Sequence, residues 1–388
     1  MFKCVCRRAV HHARECSAIS SSLYHKLHFL ELHRPLSSST SSITNSSNQQ
    51  PMVVSYFMNS FGFSQERALS ASKYVHFEIP GNADALLLFL KNHAFTDAQI
   101  STVVRLRPSI LLSRPEKTLL PKLVFLQSIG VSGLDIPRII CRSPNILCRS
   151  LKNQIIPAFN LLQDLLHSNE NIVFAVNRFP DLLVTNLENK VAPNLEILRE
   201  AGVTESGIGY CLKHMPRLLA RLPEHLKESV ERVKQIGFNP QTTMFLQAVK
   251  VMAATASRSW DRKMDVYKRC GWSEEEVLTA FRRQPHCMLA SESKIVRVVD
   301  LLVHKMGCHI SELAKNPLLI LLSLNKTIAP RCSVYNVLRM KGLVRKNLSL
   351  ARCLTCPEKF FLERFVQRYK EEAPELLELY QEKMQLSK

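Results

Sequence analysis

Glycine is scarce in this chain: 11 residues of 388, against 19 prolines. That balance disfavours a β architecture built on tight glycine turns and asks where the prolines sit. Long hydrophobic runs are missing as well. The longest are Leu86–Leu90 and Pro317–Leu322, where a bilayer span needs roughly 20 apolar residues. Membrane insertion is therefore not expected. Acid is under-represented: 33 Asp and Glu stand against 52 Lys and Arg, a net charge of +19. A field of that sign favours an anionic partner and says nothing about fold. No GxxxxGK[ST], HExxH, GxSxG or GxGxxG occurs. The His residues beyond position 50 are scattered, without repeated carboxylate or cysteine partners. No catalytic residue, metal site or cofactor is expected, and the chain reads as a non-enzyme. Hydrophobic residues make up 46%, enough for a sizeable core, so wholesale disorder is excluded.

Residues 1–50 differ from the rest. They carry six cations (Lys3, Arg7, Arg8, Arg14, Lys26, Arg34), two acids (Glu15, Glu31), no Asp and two dense serine stretches. Basic, Ser-rich and acid-poor is the composition of an organellar transit peptide followed by a disordered linker. The early arginines lean towards the mitochondrion, with the chloroplast as the alternative. The remainder still carries +15. In such a compartment the twelve cysteines do not read as a disulfide framework. Cys141, Cys211, Cys287 and Cys353 sit among apolar neighbours, where a free thiol behaves as a small hydrophobe. The lone CxxC, Cys353-Leu354-Thr355-Cys356, lacks a second pair at standard zinc spacing; Cys332 and His309 do not supply one.

The prolines are periodic. Pro108, Pro144, Pro180 and Pro216 are each 36 apart, and Pro285, Pro317 and Pro357 continue the series less evenly. One residue and then an apolar pair follow each of the first four: Ile110-Leu111, Ile146-Leu147, Leu182-Leu183, Leu218-Leu219. A second series, Pro121, Pro157 and Pro193, has the same spacing, and Pro330 resumes it. A third is glycine: Gly130, Gly202, Gly237, Gly271, Gly307, Gly342. Fourteen residues separate Gly130 from Pro144, Gly202 from Pro216 and Gly271 from Pro285, which puts a missing anchor at Val251. Three series in one phase mean stacked supersecondary units. Each predicts a first helix beginning near the second-series proline and stopping at glycine. A second helix follows, opened by Thr96-Asp97, Thr204-Glu205 or the capping box Ser273-Glu274-Glu275-Glu276. It ends before the anchor proline, whose predecessor is pushed out of the α region. No strand alternation appears. The expectation is an all-α solenoid over residues 52–388, one continuous repeat domain. Trp272, just after Gly271, falls where other repeats place Val131, Val203 or Phe238 and is expected in the core; Trp260 is undecided.

This pattern resembles the mitochondrial transcription termination factor (mTERF) family, its land-plant branch most of all. The resemblance rests on the Pro-x-Ile/Leu-Leu anchors, the Gly-to-Pro spacing and the run from Pro357 to Tyr380. It implies two α-helices and a short 3₁₀ turn per repeat, coiled into a right- or left-handed superhelix. It also implies binding of organellar DNA or RNA, double-stranded nucleic acid included, in transcription initiation or termination or in RNA processing. Pentatricopeptide repeats share the period but do not end a helix at a recurring proline followed by an aliphatic pair. The chain departs from the pattern at Val251, at Ser229 in place of a second-series proline, and in the short Gly307–Pro317 gap, where the stack is expected to loosen.

The register places charge. Two residues before the anchor stand Leu106, Arg142, Arg178, His214, Val249, Arg283 and Lys315; three before it stand Arg105, Lys213 and Arg282. Arg107 immediately precedes one anchor and Arg217 follows another. Equivalent positions in a solenoid form a stripe, and phosphates bind cations without sequence information. A helix C-terminus also favours cations, by about 0.3–1 kcal/mol, but that needs no uncompensated +15. These nine residues are the expected nucleic-acid contacts, and replacing Arg142, Arg178, Arg283 and Lys315 is expected to cost binding and little stability. The protein is expected to act as a monomer. The other reading is a protein-interaction scaffold on the organellar transcription machinery or ribosome.

Overall fold

The computed structural model describes residues 49–76, 81–344 and 349–385. The targeting segment expected over residues 1–50 lies outside this set up to residue 48. Among the described residues there is no strand, and helix follows helix throughout. The described residues form two compact units, divided between Leu187 and Glu188, each built from the same repeat.

In the first unit, the helices Leu120–Ser128 and Ile136–Arg142 lead into the turn Asn145–Cys148; Ile156–Leu166 and Asn169–Arg178 lead into Pro180–Leu183. In the second, Ala192–Glu200 and Glu205–His214 precede Pro216–Leu219, and Ser257–Arg269 and Glu274–Arg283 precede Pro285–Leu289. The residue before each anchor proline leaves the helical region: Arg107, Ser143, Phe179 and Gln284 share φ between −142° and −149° and ψ between 76° and 87°. Steric pressure from the proline ring produces this one conformation four times. The apolar pair that follows is driven inward, from Ile110 and Leu111 to Cys287 and Met288, none more than 3% exposed. Each such side chain contributes about 1.5–3 kcal/mol. The third element is a 3₁₀ turn at Pro108, Pro180 and Pro285, but a single α turn at Pro144, Pro216 and Pro317.

Val251 does not loosen the stack. With an N–H in place of the proline ring, the helix Thr243–Ala254 runs straight through the anchor position and buries Val249, Val251 and Met252. The first helices also differ from expectation. Three of them begin six residues ahead of the second-series proline, with a wide turn in which the N–H before the proline bonds five residues back: Leu120 to Pro115 O, Ile156 to Leu151 O, Ala329 to Leu324 O. A proline inside an α-helix removes a hydrogen bond and clashes with the carbonyl four residues earlier, and a π turn relieves both. Proline is not the sole route to such a turn: Asp300–Lys305 and Leu362–Val366 form one without it, and ahead of Pro193 the helix is instead interrupted at Val191. Ser229 replaces the proline in Pro223–Gln235, and that helix is α from end to end.

The glycine stops are left-handed as expected, but the position outlasts the glycine. Ala94 (φ 65°) and His167 (φ 55°) adopt the same conformation one period either side of Gly130 (φ 102°). At these stops the next residue's N–H closes a six-residue loop onto the helix: Phe95 to Leu90 O at 3.1 Å, Val131 to Leu126 O at 3.0 Å, Trp272 to Tyr267 O at 3.1 Å. That residue is buried each time, which makes Trp272 (3% exposed) a core side chain. Trp260 is core too, edge-on to Phe281 with ring centroids 4.9 Å apart. The capping boxes at Thr96/Gln99 and Ser273/Glu276 both form.

A left-handed non-glycine residue carries strain that glycine lacks. Ala94→Gly should therefore raise unfolding stability by up to about 1 kcal/mol. Gly237→Ala, where an added Cβ meets nothing within 4 Å and only φ matters, should lower it by about 1–2 kcal/mol. Urea denaturation of both variants checks the pair.

Candidate nucleic-acid interface

The residue two before the anchor has a shared geometry in two separate repeats. In the first unit, the Arg142 guanidinium donates to Asn177 O at 2.5 Å and to Arg178 O at 2.6 Å. In the second, Arg283 donates to Lys315 O at 3.1 Å. Arg178 and Lys315 are the equivalents of Arg142 and Arg283 one repeat on. Each arginine thus reaches across to the last turn of the next repeat's second helix, where carbonyls lack intrahelical partners. The acceptors are neutral, so the positive charge stays uncompensated.

The other expected contacts divide. Arg178 is exposed and lies over the Phe174 ring at 5.9 Å. Arg105 and Lys315 are exposed. Arg107 donates through Nε to Asn145 Oδ1 at 2.6 Å, bridging one anchor to the next. Lys213 is half-buried and Arg217 exposed. Arg282 faces the other way: it donates to Ile236 O at 3.0 Å, on the preceding repeat's first helix, and pairs with Glu275 at 2.7 Å. Arg142 and Arg283 therefore stabilise the stack, so their removal would cost stability as well as charge, contrary to the expectation from sequence.

The mTERF family model matches residues 87–304 and 242–362. The chain belongs to the mTERF family. No curated protein matches it.

In this mTERF protein, sequence reasoning missed a second periodic set of polar side chains. From the first helix of a repeat, one side chain reaches the carbonyl that closes the anchor turn of the same repeat. Lys122 donates to Leu147 O, Asn194 to Leu219 O at 2.8 Å, Lys263 to Ala290 O and Lys294 to Leu321 O at 2.8 Å; Arg331 differs, reaching the end of the second helix ahead of Pro357, at Leu354 O (2.9 Å) and Cys356 O (2.6 Å). A short turn leaves such carbonyls without partners, and burial makes an unpaired one costly. Lys122 and Arg331 are buried, at 8% and 4% exposure. The signal was available in sequence: a polar residue directly after Pro121, Pro193 and Pro330, on a face otherwise apolar. The four cations among them hold the fold together and are withdrawn from any ligand.

The nine described cysteines are all free thiols. Burial pushes the Cys211 and Cys287 thiols up to about 12, which makes them poor nucleophiles. Cys141 is only half-buried. Among the described residues, no three His, Cys, Asp or Glu side chains are grouped to hold a metal ion.

Burial lowers the Lys122 ammonium from its usual 10.5 to about 8. Between those values the unfolded chain holds a proton that the folded one has lost, so unfolding stability should rise with pH from about 8 to 10.5. The slope from this group is at most about 1.4 kcal/mol per pH unit, and Lys122→Met should remove its share. Denaturant titrations across that window test the sign.

Arg142→Ala and Arg283→Ala should each lower unfolding stability by about 1–2 kcal/mol, through loss of a charged hydrogen bond. Arg105→Ala and Lys315→Ala should stay within about 0.5 kcal/mol. Equal melting temperatures across the four variants would refute the inter-repeat tie.

Proposed function

We propose that this mTERF protein binds organellar nucleic acid and regulates organelle gene expression, acting in transcription initiation or termination or in RNA processing. The observation that carries this reading is the family match over residues 87–304 and 242–362. The charge supports it: outside residues 1–50 the chain keeps +15, and the Arg142 and Arg283 ties leave that charge unneutralised. Arg105, Arg107, Arg142, Arg178, Lys213, Arg217, Arg283 and Lys315 are proposed to contribute to the field that attracts phosphate; Arg282, paired with Glu275, contributes least. The basic, Ser-rich residues 1–50 are proposed to direct the chain to the mitochondrion. Within the family, the run Pro357–Tyr380 points to the land-plant branch. The protein is proposed to act as a monomer and without catalysis.

Crosslinking the tagged protein in isolated mitochondria and sequencing the recovered DNA and RNA should enrich defined organellar sites. Recovery of ribosomal or polymerase proteins with no nucleic acid would favour a scaffold instead. In solution, about six phosphate contacts should give a log–log salt slope near −5 on duplex DNA or −4 on a single strand; a flat response would refute the electrostatic basis.

A further inference from the structure

Several arginines ahead of the anchors are already engaged within the protein. Arg142 and Arg283 hold helix-end carbonyls, Arg107 holds Asn145, and Arg282 holds a carbonyl and a carboxylate. The cations that follow the anchors in the first unit are placed differently. Arg114 precedes the wide turn Pro115–Leu119 and Lys117 lies within it; Arg149 precedes and Lys152 lies within its counterpart Leu151–Ile155 one repeat on. All four are exposed, and none makes a side-chain hydrogen bond or ion pair among the described residues.

The stretch of chain that carries them is short of acid. From Arg107 to Lys152 the chain carries eight cations and two carboxylates. Of the two, Asp135 is neutralised by Arg138 at 3.0 Å, which leaves Glu116. The two repeats also bring their charges together. Arg107 from one anchor, Arg149 from the next and the buried Lys122 all act on the Cys148 thiol. Lys122 is held by Leu147 O, so the exposed charge there belongs to the arginines. Helices pack about 8–10 Å apart, so cations one repeat apart span about two or three nucleotides of duplex at 3.4 Å of axis per nucleotide.

We propose that Arg114, Lys117, Arg149 and Lys152 form a phosphate-contacting ridge of the first unit and carry more of the direct backbone contact than the internally bonded Arg107 and Arg142 of the same unit. The proposal rests on the nucleic-acid reading above. Its physical basis is that an unpaired, solvated cation can move onto a phosphate without breaking a bond the fold needs, whereas Arg142 must first release its neighbour's carbonyls.

The test uses the full chain and the quadruple variant R114A/K117A/R149A/K152A, titrated against a labelled 30-base-pair duplex and a 30-nucleotide RNA over a range of salt. The variant should bind at least tenfold more weakly at low salt. Its log–log slope should be shallower by about three to four units, as four lost phosphate contacts require, with an unchanged melting temperature. An unchanged affinity and slope in the variant, with the parent still binding, would overturn the ridge and leave the nucleic-acid reading standing. A parent that binds neither probe overturns both. Loss of binding to phosphatidylserine vesicles, with the nucleic-acid slope unaltered, would also overturn the ridge and assign it to a lipid surface.

Discussion

The proline ring, with no N–H and a fixed φ, organises this molecule twice per repeat. At the anchor it pushes the preceding residue out of the helical region, ends the second helix and turns an apolar pair into the core. Inside the first helix it has the opposite outcome. The helix survives, because the backbone widens by one residue just ahead of the ring. The surroundings decide between the two. The anchor proline arrives where the helix has already placed its buried face and can stop. The internal proline arrives where a helix has begun and its apolar face, Leu123 and Leu126 for example, is still to be buried.

Short turns create a debt of unpaired carbonyls, and the protein meets it with side chains from elsewhere. Lys122, Asn194, Lys263 and Lys294 close anchor turns within a repeat, Arg331 closes the second helix of its own repeat, and Arg142 and Arg283 close second helices between repeats. Because these acceptors are neutral, the cations used this way stabilise the fold and still add to the positive field, except Arg331, which is paired with Glu358 at 2.9 Å. A basic chain of this family can therefore use one charge for structure and for long-range attraction. Direct contact falls more easily to cations with no internal partner.

Much of the architecture was legible beforehand. The three in-phase series located the helices, the stops and the buried pairs, since a missing N–H, a missing Cβ and an apolar side chain each act locally on the backbone. The charged residues were less legible. Arg282 and Arg283 are adjacent in sequence, yet one reaches back to Ile236 and the other forward to Lys315, because neighbouring positions on a helix point about 100° apart. The register could flag both as basic; it could not separate them.

The sequence by itself determined the period, the all-helical class, the core pairs and the sign of the charge, because each follows from covalent chemistry repeated at fixed spacing. Only the tertiary structure decided which cations are tied to carbonyls and which are left to solvent. That choice depends on where helix ends and anchor turns come to lie, 23 to 46 residues away along the chain, a distance over which no local rule acts.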